Sequence, residues 1–343
     1  MSPKKPLRHW IAWTIGSIWI ATALAVLIAT RVHPSTTANA ALSVREISFR
    51  TDSRRILGPI NEEQLLVSGL RSLRIQLNSA QTIRTSGPPI QATSLEIEGE
   101  PSASCSFYQV RSGGLELSDP SIITLGWAST TGERSFNLKV HGSFSGNLTS
   151  RPSEPALRPG FACTRVHVNG APAGNVEASF SPQGGDSIFF ATSSDARLDF
   201  DLTAQLEIGD TQIPILGELR FSDVDPRTSE EKTVLLKPPP AYKNEVSFEK
   251  LDKSVTLDDA DLVVVVPKSD FYLRRFTVRD GIQLSLHGVV RDVRAGAGAS
   301  DLETRMPSLF DHLDNEKRIY GVIPALAALI LGVLEKMGSL GRK

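Results

Sequence analysis

Aromatic residues are scarce in this chain of 343 residues, at 6% of the total. Trp10, Trp13 and Trp19 account for three of the four tryptophans and sit in the first apolar stretch. The body beyond it keeps Trp127, Tyr108, Tyr242 and Tyr272, too few exposed rings for an obvious carbohydrate platform. Charge bias is missing as well. Lys plus Arg number 37 against 38 Asp plus Glu, which removes the basic footprint of a nucleic-acid binder.

Motifs of chemistry are equally sparse. The six histidines (His9, His33, His141, His167, His287, His312) stand singly, none with a His or Cys at metal-ligand spacing. No Ser occupies a G-x-S-x-G elbow, and no glycine-rich phosphate loop occurs, so no cofactor is implied. Asp223-x-Asp225 opens like a calcium loop, but Arg227 and Thr228 stand where a ligand and a glycine are needed. Asn147-Leu148-Thr149 has the form of a glycosylation sequon, which by itself decides nothing about source.

What the chain does have is two apolar stretches, one near each end. Residues 10–30 carry no charge and span about 30 Å as a helix, the thickness of a bilayer core. Lys4, Lys5 and Arg8 precede them, so the positive-inside rule puts residues 1–9 in the cytoplasm and the body outside it. Ala38-Asn39-Ala40 has the small-x-small form of a processing site, yet the apolar run exceeds a signal-peptide core of about 7–15 residues. We read it as an uncleaved anchor, followed by a tether at 31–43. Residues 319–334 form a shorter uncharged run of about 24 Å, read as a second crossing with 335–343 cytoplasmic. Ser17, Ala21, Ala25 and Ala29 share one face of the first helix, and Gly321, Ala325, Ala328 and Gly332 form a strip on the second. Small residues at such spacing let helices approach closely.

Between the two runs the texture is strands. Short alternating segments such as 44–50, 72–78, 93–99 and 135–142 are separated by Gly, Pro, Asn and Asp, as in an antiparallel β-sandwich or jelly-roll-like body. A main β-domain is expected over 44–222 and a smaller β-unit over 246–294. Residues 223–245, with Pro238-Pro239-Pro240, read as a linker or long loop. Residues 295–318 read as a flexible joint and juxtamembrane helix, with Ser300 and Glu303 as its capping box.

Two hairpins are expected. In 197–208, Leu198, Phe200, Leu202, Ala204, Leu206 and Ile208 alternate with polar residues, and a turn at Gly209-Asp210 would fold 213–221 back on them. That register sets Asp199 against Arg220 and Asp201 against Glu218. A second turn, Asp280-Gly281, joins 271–278 to 282–290, and Leu262–Val266 reads as a strand buried on both faces.

Cys105 and Cys163 are the only cysteines, and an exported compartment permits one disulfide between them. Facing carboxylates can share a proton or hold a cation, which makes Asp201 and Glu218 the pair on which a membrane-tethered hydrolase would rest. The reading preferred here is different. It is an integral protein of the plasma or inner membrane, without enzymatic activity, whose periplasmic or extracytoplasmic β-body acts as a scaffold or binding module of the cell envelope. Its partners are the lipid bilayer and a protein or an apolar, lipid-like ligand.

Overall fold

The computed structural model describes residues 16, 19–20, 22–23, 26–57, 60–130, 133–150, 160–168, 171–179, 186–201, 206–208, 212–240 and 242–315. Described residues 16, 19–20, 22–23 and 26–31 are helical; the chain then turns to strand. In order these are β1 (Thr36–Val44), β2 (Glu46–Thr51), β3 (Arg55–Leu57), β4 (Ile60–Thr85), β5 (Ile90–Leu117), β6 (Ser121–Thr130) and β7 (Glu133–His141). Next come β8 (Phe144–Ser150), β9 (Gly160–Val168), β10 (Ala171–Ser179), β11 (Ser187–Asp201), β12 (Leu206–Ile208), β13 (Ile213–Pro214) and β14 (Leu219–Arg220). The rest are β15 (Ser222–Val224), β16 (Glu231–Thr233), β17 (Glu245–Phe248), β18 (Lys253–Thr256), β19 (Leu262–Val278), β20 (Ile282–Gly296), β21 (Glu303–Thr304) and one helix, α1 (Leu309–Asn315).

The fold is therefore mainly β, in antiparallel sheets, as the alternation predicts. Among the described residues, a nine-stranded sheet runs β12-β19-β20-β1-β17-β18, with β13 and β14 also on β19 and β21 on β20. A ten-stranded sheet runs β2-β6-β7-β11-β4-β10-β9-β5-β3, with β8 bridging β11 and β5. One continuous core joins them. Phe136 on β7 is its hinge pin, with ring centroids 5.5 Å from Phe200 of the same sheet and 5.8 Å from Phe276 of the other.

The larger sheet turns a corner and closes. Register shifts fall between Ser68 and Ser72 of β4, between Gly99 and Ser104 of β5, and between Thr192 and Arg197 of β11. Such bulges bend strands and sharpen their twist. Glycine is required at the corner, because a Cβ at Gly99 would overlap the Leu70 carbonyl. Beyond the bend β5 pairs with β8, β8 with β11, β11 with β4, and β4 again with β5, so this part of the sheet forms a ring.

Several expectations meet a different neighbour. The 197–208 hairpin does not form. Leu198 and Phe200 are buried as expected, but β11 is a central strand, with Leu198 opposite both Val67 and Leu138 and Phe200 opposite both Leu65 and Phe136. β12, β13 and β14 pair instead with β19. Alternation fixes which face is buried; it does not choose the partner strand. The hairpin across Asp280-Gly281 is present, with Val278 opposite Ile282, and Leu262 to Val265 are all buried.

Most of the expected tether is strand. Within β1, Ala38, Ala40 and Leu42 are buried and paired to β17 on one side and β20 on the other. The chain division at 223–245 is not the sheet division either, since β1 and β12 to β14 join β17 to β20. Within the expected linker, β15 and β16 form a small sheet. The buried Asn244 accepts from the Ser43 amide at 2.7 Å and donates to the Leu236 carbonyl at 3.0 Å, strapping the segment to β1.

The expected capping box at Ser300 and Glu303 is also displaced. Ser300 lies in a 3-10 turn and Glu303 in β21, while α1 is capped by Ser308. The Ser308 amide donates to Asp311 Oδ2 at 2.8 Å and the Asp311 amide to Ser308 Oγ at 3.3 Å, the reciprocal arrangement of a capping box. Lys253 pairs with Asp311 and Asn315 donates to the Lys250 carbonyl, so α1 docks on the turn between β17 and β18.

Burial pushes the Asp311 carboxyl up, but the hydrogen bonds from Lys253 and Ser308 outweigh it and hold the group below its ordinary value. A carboxylate depressed in the folded state contributes stability above its unfolded pKa of about 3.9 and loses it as pH falls through the folded value. Asp311→Asn is therefore expected to cost about 1 kcal/mol at pH 7. In paired melts the difference from the parent should shrink as the pH is lowered through 4 to 3.

Candidate functional site

Among the described candidate residues, only the cysteines are brought together. Cys105 of β5 lies directly opposite Cys163 of β9, and the two form a disulfide inside the core. The carboxylates are not paired by strand register. Asp201 ends β11 opposite Ser135 and Gln64, whereas Glu218 lies before β14 and accepts from Arg220 Nε at 2.7 Å and from Arg294 at 3.4 Å. Asp199 is held by Arg197, with Nε to Oδ1 at 2.7 Å, in place of the expected Arg220. Ala29 is helical and half-buried; Ser17, Ala21, Ala25, Gly321, Ala325, Ala328 and Gly332 lie outside the described residues.

The described histidines stand apart in separate contacts. His141 Nδ1 lies 2.6 Å from Asp195, and His287 Nδ1 lies 2.6 Å from Asn39 Oδ1 and 3.5 Å from Glu249. Among the described residues no three His, Cys, Asp or Glu side chains converge as a metal site would need.

Two features gather residues that no motif announced. The first is the place where the segment after the N-terminal helix meets α1. The Leu309 amide donates to the Val32 carbonyl at 2.7 Å, and His33 Nδ1 lies 3.4 Å from the Pro307 carbonyl. The residue that follows the N-terminal helix thus touches the start of α1, although 277 positions (32 to 309) separate them in sequence. The apolar side chains of Trp19, Ile20, Val26, Leu27 and Ile28 are exposed, and Phe310 on α1 is exposed as well.

The second is a groove of about 950 Å³ on the ring part of the larger sheet. Register builds it in rows. Asn147 of β8, Phe189 of β11, Arg74 of β4 and Glu96 of β5 stand opposite one another in sequence across four paired strands. Beside them run Ser145, Ala191, Ser72, Glu98 and His167. Phe189 is 43% exposed, an unusual position for a ring flanked in sequence by the buried Ile188 and Phe190. Arg74 Nε donates to Glu96 Oε1 at 2.6 Å, and His167 Nε2 lies 3.2 Å from Glu100. Scarcity of rings argued against a carbohydrate platform; Phe189 was hidden in a run, Ile188-Phe189-Phe190, that reads as core.

No protein-family model matches this chain, and no curated protein does. Among solved structures, the scytalido-glutamic peptidase with a transition state analog inhibitor aligns at 10% identity and a TM-score of 0.12, over 74% of this chain and 98% of the peptidase. The outer membrane protein OprG from Pseudomonas aeruginosa aligns at 7% identity and a TM-score of 0.09, over 42% of this chain and 98% of OprG. Neither alignment bears on fold or function.

Proposed function

We propose that this chain is an integral protein of the plasma or inner membrane whose extracytoplasmic β-body, held at both ends, serves as a non-enzymatic scaffold or binding module of the cell envelope. The carrying observation is the hydrogen bond from Leu309 to Val32, since it sets the chain just after the apolar stretch 10–30 against the start of α1, the helix that precedes the apolar stretch 319–334 in sequence. The exposed apolar side chains of Trp19, Ile20, Val26, Leu27 and Ile28 need a non-aqueous neighbour. Among the described residues no helix is long and apolar enough to cross a membrane, and both stretches reach into residues outside that set. The orientation rests on Lys4, Lys5 and Arg8, with both termini cytoplasmic.

Within this reading a protein partner is favoured over a lipid-like ligand held between the sheets. The space between them is filled by the buried rings of Phe136, Phe200 and Phe276. The hydrolase alternative rested on a register that sets Asp201 against Glu218, and β11 and β14 pair with other strands.

Reporter fusions at both termini, combined with alkaline extraction of membranes, test the proposal. Resistance to extraction is expected, together with cytoplasmic signals from both reporters. The amino terminus of the membrane-bound chain should not begin at Ala41, because Ala38-Asn39-Ala40 is the buried centre of β1. Release by alkali, or an extracytoplasmic carboxy-terminal reporter, overturns double anchoring.

A further inference from the structure

We infer that the groove over β4, β5, β8 and β11 is a binding site for a neutral oligosaccharide. The inference deepens the binding-module half of the proposal above and is independent of how the body is anchored.

Four observations select this ligand class. An exposed ring, Phe189, stands among polar side chains, and a sugar presents both an apolar C–H face that stacks on a ring and a rim of hydroxyls. The rim partners are present: the planar, bidentate groups of Arg74, Gln76, Glu96 and Glu98 and the imidazole of His167, with Ser72 between them. The lining carries one guanidinium, bonded to Glu96, against the two carboxylates of Glu96 and Glu98, a balance of one negative charge that suits neither a polyanion nor a strongly basic peptide. Finally, the strands under the groove are paired on both sides, β11 by β4 and β8 and β4 by β5 and β11, so no free edge is available for an added peptide strand.

The groove also has length. A neighbouring depression of about 330 Å³ shares Ser145 and Phe189 with it and continues past Asn147 to Gly113, Gly114 and Glu116. Strands in a sheet lie about 4.8 Å apart, so successive rows offer hydrogen-bonding groups at a regular spacing to a chain of rings. Asn147, the sequon residue, lines this site from a strand paired on both sides.

The test uses the full chain in a polyoxyethylene detergent, which contains no sugar, titrated calorimetrically with cellohexaose, chitohexaose, xylohexaose and maltohexaose. Binding of at least one is expected. Phe189→Ala should weaken it by about tenfold or more, as loss of a stacked ring requires. Tyr242→Ala, an exposed ring elsewhere, should leave it unchanged. Failure of all four sugars to bind overturns the inference, as does binding that survives Phe189→Ala. So does a stronger response to spermidine than to any sugar, which would assign the groove to cations through Glu96 and Glu98. None of these results touches the membrane attachment, which the extraction experiment reads separately.

Discussion

Replacing Cys105 and Cys163 together by alanine is expected to remove about 4 kcal/mol of stability, a large share of what holds a domain folded. The residues are 58 positions apart, and closing a loop of that length restricts the unfolded chain by about this much in the chain-entropy description. Geometry adds to it. The cysteines are register partners on adjacent strands, almost fully buried, and the next inward pair along those strands is Phe107 with Phe161, their ring centroids 6.4 Å apart. Loss of the bridge therefore loosens β5 against β9 at the middle of the core. Denaturant unfolding of the parent, the reduced parent and the double variant checks this. The last two should coincide within about 1 kcal/mol, both well below the oxidised parent. Coincidence of all three would show that packing alone holds this region.

Gly288→Ala is expected to cost about 3–5 kcal/mol, despite adding a single methyl group. Gly288 sits in β20, opposite Ala38 of β1, with φ +149°. On its other side β19 bulges through Asp270, whose φ is +47°, and the space a Cβ would need is occupied by the Asp270 carbonyl and Phe271 Cα. These are backbone atoms inside a sheet, so they cannot swing aside as a side chain would. Gly217→Ala separates the two contributions. Its φ is +87°, but nothing lies within 4 Å of the new methyl, leaving backbone strain of about 1 kcal/mol alone. If both substitutions cost the same, the close approach of β19 to β20 is not what demands glycine.

The contrast between faces and neighbours explains how much of this molecule was legible from sequence. Period-two alternation gave the buried sides of β2, β11 and β20 and the turn at Asp280-Gly281, because those depend on residues adjacent in the chain. The partner of β11 depends on β4 and β7, more than 50 positions upstream, and nothing local distinguishes them from the nearer 213–221. β1 was missed for a related reason. Its inward residues Ala38 and Ala40 are small, so Thr-Thr-Ala-Asn-Ala-Ala reads as a tether although both alanines are buried. Ser308 and Asp311 were passed over for Ser300 and Glu303, the more conventional cap pair. The groove was invisible because five strands distant in sequence contribute to it. Phe189 carried no signal either: with Ile188 and Phe190 beside it, the alternation that would mark an outward residue is absent.

The position of β1 has a consequence for how the protein is made. It is the first strand in chain order, yet its partners are residues 245–248 and 282–290, so Ala38 waits for Gly288 to be synthesised. The smaller sheet cannot be completed from the N-terminal side in the order of synthesis. Pairings this remote in sequence form slowly, because the loop between them must be closed before any bond rewards it. Until then β1 offers two unpaired edges, a template for wrong strands, and the sheet is finished from the C-terminal side.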